Sequence, residues 1–166
     1  MAPLVVLVAT FLVLLLLGRF GVRALRDPLV CLRGALCAMF LLTASAHFGS
    51  RRPDLVRMVP SMVPHPEFWV TFTGVAEIAG AVGLLLPRLA PWASAGLTLL
   101  LLAVFPANLH AASHHLTIGG VPVPAAGPRT LIQLVFLAAV LAAGFGHRWR
   151  ARGPAKGHDS AVDSAP

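Results

Sequence analysis

Long apolar runs separated by short polar segments dominate the chain. Five of these runs approach or reach the roughly 17 to 25 residues that a membrane-spanning helix needs. They cover residues 2–18, about 29–48, 68–86, 89–112 and 130–146. We find no internal repeat among them. The pattern therefore predicts an all-α integral membrane protein, a bundle of five transmembrane helices.

The composition agrees with this pattern. Of the 166 residues, 57% are hydrophobic and 11% are charged, and the mean hydropathy is +0.82. These values are typical of a chain embedded in lipid. A net charge of +7 is also compatible with nucleic-acid binding, but the arginines cluster at the ends of the apolar runs, where orientation in a bilayer accounts for them. We therefore expect the lipid bilayer as the surroundings of the protein and no nucleic acid as a partner.

The basic residues predict the orientation. Arg19, Arg23 and Arg26 follow the first run and no basic residue precedes it, which is the reverse of a secretory signal, so we expect an uncleaved anchor. With five spans and the N-terminus outside, the inner segments hold nine Lys or Arg residues and the outer segments hold four. The positive-inside rule then predicts a cytoplasmic C-terminus.

The predicted organisation has three parts. Residues 1–28 form an N-terminal transmembrane anchor and a basic cytoplasmic loop, and residues 29–147 form a four-helix transmembrane domain. Residues 148–166 form a polar tail containing Gly and Pro, which we expect to be disordered.

Two loops on the predicted outer side have distinctive compositions. Residues 49–67 contain four prolines, which predicts a short helix near residues 54–58 followed by an extended, re-entrant or surface-lying segment. The apolar residues there, Met58, Val59, Met62 and Val63, suit a lid over a cavity and lipid headgroups equally well, and both interpretations stay open. Residues 113–128 are rich in Gly and Pro and predict a small turn or hairpin.

Glu77 is out of place in its apolar run. A carboxylate in lipid is costly unless it is neutral, paired or hydrated. On a helix, the residues three or four positions away are Thr73, Gly74, Gly80 and Ala81. Small residues are typical of faces where membrane helices pack closely. We therefore expect Gly74 and Gly80 to be structural, and Glu77 to point into the bundle.

Other polar residues lie near the ends of neighbouring runs. They are His47, Asn108, His110, Arg129 and Gln133. Together with Glu77 they form the predicted polar core or ligand-binding site, toward the outer leaflet. At ~1.5 Å per residue Glu77 lies roughly 13 to 15 Å deep, so a pocket opening outward would be needed to link it to all of them.

Pro106 lies within the fourth run and predicts a kink. It has no N–H to donate and it crowds the carbonyl of Leu102, which frees an acceptor inside the bundle. Asn108 either satisfies that carbonyl or forms a hydrogen bond across helices. We favour a structural polar clasp here over the wall of a ligand site.

Several of these motifs, taken in order, resemble the DoxX-like family of small bacterial membrane proteins. The motifs are His47-Phe48, Pro60 and Pro64 in the loop, GVAEIAGAVGLLLP from Gly74, FPANLHA from Phe105, and Arg129 with Gln133. The resemblance covers about two thirds of the chain. It implies a four-helix membrane bundle in the bacterial inner (plasma) membrane, to which this chain adds an N-terminal helix. The sequence GPRTLIQ departs from the Arg-Leu-Pro-Leu-Gln run common in the family, but it keeps the spacing of four from Arg129 to Gln133.

The resemblance also implies a function. Some DoxX-like proteins are associated with redox enzymes, among them a subunit of a thiosulfate to quinone oxidoreductase. We therefore expect a redox-associated accessory subunit or a bundle that binds a quinone-like ligand supplied by the membrane, with a membrane or redox-enzyme partner. The alternatives are a non-catalytic assembly protein and, less favoured, a small proton-coupled carrier. We expect no autonomous catalysis and assign no catalytic residue, and the oligomeric state is not predicted.

Cysteine and histidine chemistry add little to this interpretation. Cys31 and Cys37 are six residues apart, about 9 Å along a helix and about 120° around it, which does not suit a disulfide. His110 and His114 lie one turn apart with His115 adjacent, but two or three such residues make an incomplete metal site. We interpret the histidines as interfacial and predict no metal.

Overall fold

The computed structural model describes residues 2–114 and 116–151, and the side chains of that range up to residue 147. His115 and most of the predicted tail, residues 152–166, lie outside the described residues. The helices are α1 (Ala2–Arg19), α2 (Pro28–Phe48), α3 (Arg52–Met58), α4 (Pro66–Leu85), α5 (Ala90–Ser113) and α6 (Ala126–Ala151). A 3-10 turn at Arg23–Leu25 joins α1 to α2, and the strands β1 (Thr117–Ile118) and β2 (Val121–Pro122) form an antiparallel hairpin between α5 and α6.

Five helices are long and apolar enough to cross a membrane: α1, α2, α4, α5 and the Ala126–His147 part of α6. This confirms the predicted multi-pass, all-α membrane protein. The last helix begins four residues before the predicted span and continues beyond it. Gly127 and Pro128 suggest a turn, but proline is tolerated in the first turn of a helix, where its missing N–H has no partner to lose.

Four of the long helices form a ring. Helix α2 packs against α4 and α6, α4 packs against α5, and α5 packs against α6, while α1 lies outside the ring against α2. The largest fully buried side chains come from all four ring helices: Phe40, Leu36, Met39, Leu84, Leu97, Val140, Cys31 and Ser94. Large apolar residues such as Leu12, Leu99 and Leu131 are exposed on the outside, where the lipid of a bilayer would cover them.

Small residues set the spacing between ring helices. A Cβ atom at Gly80 would lie 2.5 Å from Cγ of Leu97 on α5, and one at Gly74 would lie 2.7 Å from Cβ of His47 on α2. Ala81 is fully buried. The small residues around Glu77 therefore lie where α4 approaches α2 and α5, and glycine lets the helices come this close.

One end of the ring is covered, and we call it the roofed end. Its roof consists of α3, the loop of residues 59–65 and the β1–β2 hairpin. Gly119 and Gly120 form the hairpin turn with φ of +59° and +77°, the left-handed values that a tight two-residue hairpin turn requires. The short helix and the hairpin expected from the two loop compositions are both confirmed.

The opposite end is tied by buried side-chain hydrogen bonds to the backbone. Arg33, only 7% exposed, donates from Nε to the carbonyl of Ala143 at 2.9 Å, which joins α2 to α6. Ser94 donates to the carbonyl of Val140 at 2.7 Å and joins α5 to α6. The two cysteines are buried and free at separate positions along α2, as their spacing predicts.

Candidate functional site

A cavity of about 890 Å³ lies between the ring helices at the roofed end. All four ring helices form its walls, and α3, the loop after it and the hairpin cover it. Most of the lining is apolar, including Met39, Phe40, Leu101, Val104 and Phe136. Cavities of about 300 to 1,000 Å³ with mostly apolar walls and a few polar groups are typical of small-molecule sites.

The first polar wall of the cavity is formed by α2 and α4. The Thr43 hydroxyl donates to Oε2 of Glu77 at 2.8 Å, and its other acceptor is the carbonyl of Phe40 at 3.0 Å. Nε2 of His47 lies 3.8 Å from the same Oε2 atom. The His47 and Glu77 side chains are 13% and 14% exposed. Glu77 is therefore held by α2 from two successive turns of that helix.

The protonation of His47 follows from its backbone contact. Its Nδ1 lies 2.7 Å from the carbonyl of Val70, and a carbonyl only accepts, so Nδ1 carries a hydrogen. The other nitrogen, Nε2, therefore faces Glu77 as a lone pair in neutral histidine. At 3.8 Å the contact is too long for a direct hydrogen bond. A proton on either Nε2 or the Glu77 carboxyl would make the contact favourable.

Arg52 forms hydrogen bonds with both helices of this wall, at their ends nearest the roof. Its guanidinium donates to the carbonyl of His47 at 3.0 Å, to the carbonyl of Glu67 at 3.2 Å and to the hydroxyl of Thr71 at 2.9 Å. The cation thus lies at the C-terminal end of α2, where the helix dipole favours positive charge. It also ties that end to the first turns of α4.

The second polar wall is formed by α5 and α6. Nη2 of Arg129 donates to Oδ1 of Asn108 at 2.5 Å, and Nε2 of buried Gln133 donates to the carbonyl of Leu101 at 2.6 Å. Asn108 thus forms a hydrogen bond across helices, one of the two roles expected of it. The carbonyl that accepts this hydrogen bond from α6 is that of Leu101, in the turn before Pro106. The carbonyl that Pro106 was expected to free is that of the next residue, Leu102.

Five of the predicted site residues line the cavity: Glu77, His47, Asn108, Arg129 and Gln133. The two walls share no direct hydrogen bond among the described contacts, so the cavity is what links them. His110 does not line it. The ring of His110 instead lies beside that of His114 with centroids 4.0 Å apart and an interplanar angle of 38°, and His114 Nδ1 contacts the His110 carbonyl at the end of α5. Within residues 2–114 and 116–151 no three metal-ligating side chains come together.

Two cavity-wall residues, and one arginine beside the wall, were not predicted from the sequence. Thr43 lies one turn before His47 on α2, so the spacing of four was an available signal. Arg51 lines the cavity at its roof, and Arg52 closes the α2 and α4 ends. Both were counted only as charges for orientation. A basic residue just after a helix end often binds the last carbonyls of the helix, and that position was the signal for Arg52.

The roof covers the cavity with apolar side chains. Met58 is buried, and Met58, Val59, Met62 and Val63 all line the cavity, although Met62 is 87% exposed. All four apolar loop residues therefore form part of the lid, and Met62 is its most exposed member.

A carboxylate joins the two halves of this roof. Oδ2 of Asp54 accepts from the backbone N–H of Gly119 at 2.7 Å, and Arg57 donates to Oδ1. The hydrogen bond from Gly119, followed by the contact with Arg57, holds the pKa of Asp54 below its usual range. The latch between α3 and the hairpin is therefore made by an ionised group at neutral pH.

Comparison with known proteins supplies a family for this architecture. No curated protein and no solved structure matches the chain. A family model described as a domain of unknown function (DUF8561) matches residues 36–144. The match spans α2 from its third turn, the roof, α4, α5 and most of α6, and it includes both polar walls of the cavity. The chain therefore belongs to the family of this domain of unknown function, DUF8561.

Proposed function

We propose that the protein binds a small amphipathic molecule in the cavity at its roofed end. The observation that carries the proposal is the cavity itself, about 890 Å³ in volume and lined by apolar side chains with polar groups on two facing walls. Such a lining suits a ligand with an apolar body and a hydrogen-bonding head. The walls come from four different helices, so a bound ligand would also stabilise the ring.

The resemblance to DoxX-like proteins makes a redox-associated role the favoured context. In this role the chain is an accessory subunit that holds a quinone-like molecule from the membrane for a partner oxidoreductase. Cys31 and Cys37 are buried and do not line the cavity, so thiol chemistry plays no part in the proposed site. Electrons would be carried by the ligand and the partner, and the chain itself would bind and orient the ligand.

We further propose that the roofed end faces the outside of a bacterial inner membrane. The nine-to-four distribution of basic residues supports this orientation by the positive-inside rule. A reporter fused after Pro166 should then behave as cytoplasmic, and a reporter inserted near Pro64 should behave as external. The opposite pattern would place the cavity on the cytoplasmic side.

A scaffold role is the second candidate, and one observation favours it. The Glu77, Gln133 and Asn108 side chains all have partners within the protein, as expected of interhelical contacts that only hold the bundle together. In that case the faces of the ring would bind a partner and the cavity would have no specific ligand. The third hypothesis, a proton-coupled carrier, would be identified by uptake into vesicles under a proton gradient.

Ligand retention separates binding from scaffolding. Native mass spectrometry of the protein extracted in its own lipids should show one small molecule bound per chain. Ala107 lines the cavity, so Ala107→Phe fills part of the space and should abolish the adduct. Ala138 is exposed on the outside of α6, so Ala138→Phe is the matched control and should retain it. Wild-type protein without any specific adduct, or an adduct unaffected by Ala107→Phe, would reject the proposed site.

A further inference from the structure

Arg129 contributes a positive charge to the cavity without a counter-ion in the described part of the chain. It lies in the first turn of α6 within a membrane-spanning segment, and it lines the cavity. Its side-chain hydrogen bond goes to a neutral amide, Oδ1 of Asn108. Among the residues the structure describes, no carboxylate oxygen lies within 4.0 Å of its guanidinium. A guanidinium has five N–H donors, so most of its binding capacity remains for another acceptor.

The carboxylates nearest to the cavity are already occupied. Glu77 lines the cavity from α4, but its Oε2 accepts from Thr43 and faces His47. Asp54 accepts from Gly119 and Arg57 in the roof. Arg51 lies at the rim of the same cavity and adds a second positive charge to it. The electrostatic balance at the roofed end therefore favours an incoming negative charge.

The position of Arg129 fits an amphipathic ligand. Arg129 is three residues from the start of α6 and so lies near the roof. Gln133 and Phe136 line the cavity from the same helix, roughly 6 Å and 10 Å deeper at ~1.5 Å per residue. The wall therefore changes from charged to polar to aromatic with depth, the order in which a charged head and an apolar body would meet it.

From this geometry we propose that the ligand is an amphipathic anion, with an oxyanion head bound by Arg129 and an apolar body buried among the deeper cavity residues. The inference rests on the proposed binding cavity, and it names a ligand class other than the neutral quinone-like molecule of the redox-associated role. Arginine suits carboxylate and phosphate heads because its planar fork can donate two parallel hydrogen bonds to either. Asn108 holds one Nη2 hydrogen and so acts as a positioning residue.

The test compares ligands that differ only in the head. The probes are bromoundecanoic acid, bromoundecyl phosphate and neutral bromoundecanol, whose bromine quenches tryptophan fluorescence. Trp69 lines the cavity, and Trp92→Phe with Trp149→Phe leaves it as the single tryptophan of the chain. The full-length protein is reconstituted in bilayers of neutral phosphatidylcholine, and the saturable part of the quenching of Trp69 gives the Kd of each probe.

Arg129→Gln removes the charge and keeps a donor for Asn108, and Arg88→Gln is the matched control. Arg88 is exposed at the opposite end of the bundle, so its loss changes the net charge equally without touching the cavity. We expect an anionic probe to bind about 10- to 100-fold more tightly than the alcohol, as charge-assisted hydrogen bonds allow. Arg129→Gln should remove this preference, and Arg88→Gln should preserve it.

Each outcome decides a separate point. Stronger binding of the acid indicates a fatty-acid type of ligand, and stronger binding of the phosphate indicates a phospholipid type, and both support the inference. If the alcohol binds the wild type as tightly as both anions, the charged head is refuted while the binding function stands. If no probe binds saturably, the proposed function fails as well. Arg129→Lys keeps the charge and should retain the preference for anions, so the test survives a misfolded Arg129→Gln protein.

Discussion

Replacing Glu77 by Gln and by Leu separates the effect of its charge from that of its hydrogen bonds. A glutamine at this position would keep an acceptor for the Thr43 hydroxyl, now 2.8 Å from Oε2, and its amide N–H could face the Nε2 lone pair of His47. Leucine has a similar size but no polar atom. We therefore expect Glu77→Gln to change the free energy of unfolding by less than about 1 kcal/mol, since interhelical hydrogen bonds in membranes are worth about 0.6 kcal/mol on average.

The cost of Glu77→Leu should come mainly from His47. The Thr43 hydroxyl has a second acceptor, the carbonyl of Phe40 at 3.0 Å, and can turn to it. Nε2 of His47 has no such alternative among the contacts described, because Nδ1 is held by Val70. Because Oε2 of Glu77 lies 3.8 Å from Nε2, too far for a direct hydrogen bond, Glu77→Leu removes an electrostatic contact, whose loss should cost about 1 kcal/mol. Glu77→Leu should therefore destabilise the bundle by that amount.

A double-mutant cycle tests this assignment. In a His47→Phe background this electrostatic contact is already absent, so Glu77→Leu should cost about 1 kcal/mol less than in the wild type. The measurement is reversible unfolding in mixed micelles, with far-ultraviolet circular dichroism to verify the helix content of each variant. An equal cost of Glu77→Leu in both backgrounds would refute the role given to the His47–Glu77 pair. A Glu77→Gln variant with normal stability but no ligand would show that the charge of Glu77 serves binding.

Three further predictions concern the helix packing at Gly80, the contact of Asp54 within the roof and the hydrogen bonds of Arg52. Gly80→Ala should destabilise the protein by about 1 to 3 kcal/mol because the new Cβ overlaps Leu97, whereas Gly96→Ala, which meets no atom within 4 Å, should be neutral or stabilising by up to about 1 kcal/mol. The latch of Asp54 has a depressed pKa, so its stabilisation is full above the ordinary aspartate pKa and is lost as the pH falls through the lower, folded value. Amide exchange at Gly119, corrected for the intrinsic pH dependence, should lose protection in that window and in Asp54→Ala at neutral pH, and unchanged protection in both would contradict the latch. Arg52→Gln should lower the unfolding free energy by about 1 to 2 kcal/mol. An unfolding free energy equal to that of the wild type would show that the hydrogen bonds of Arg52 between α2 and α4 do not stabilise the protein.

The sequence predicted those features of the fold in which many residues must meet the same physical requirement. Crossing a bilayer demands long apolar helices, so all five spans and their order were predictable. The hairpin followed from Gly119 and Gly120, since paired left-handed residues are a requirement of that turn. The start of α6 was missed because Gly127 and Pro128 usually mark loops, although the first turn of a helix tolerates both.

The site was predictable only in part because it depends on how the helices are offset along their axes. Glu77 lies eleven residues into α4, and His47 lies one residue from the end of α2, yet they face each other because α4 projects beyond the end of α2. Periodicity on a single helix contains no information about that offset. His110 does not line the cavity for a different reason: it lies two residues from Asn108 on α5, about 200° around the helix, so the two side chains cannot share one face.

Photoaffinity labelling in native membranes tests the binding cavity most directly. A diazirine-bearing fatty acid and a diazirine-bearing quinone analogue cover the two ligand chemistries considered above, and peptide mass spectrometry locates the labelled residues. We expect saturable labelling at cavity residues such as Met58, Val104 and Phe136, suppressed by excess unlabelled ligand and by Ala107→Phe. Labelling by both probes that is confined to lipid-facing residues such as Leu99 and Leu131, or that no competitor reduces, would contradict a ligand site inside the ring.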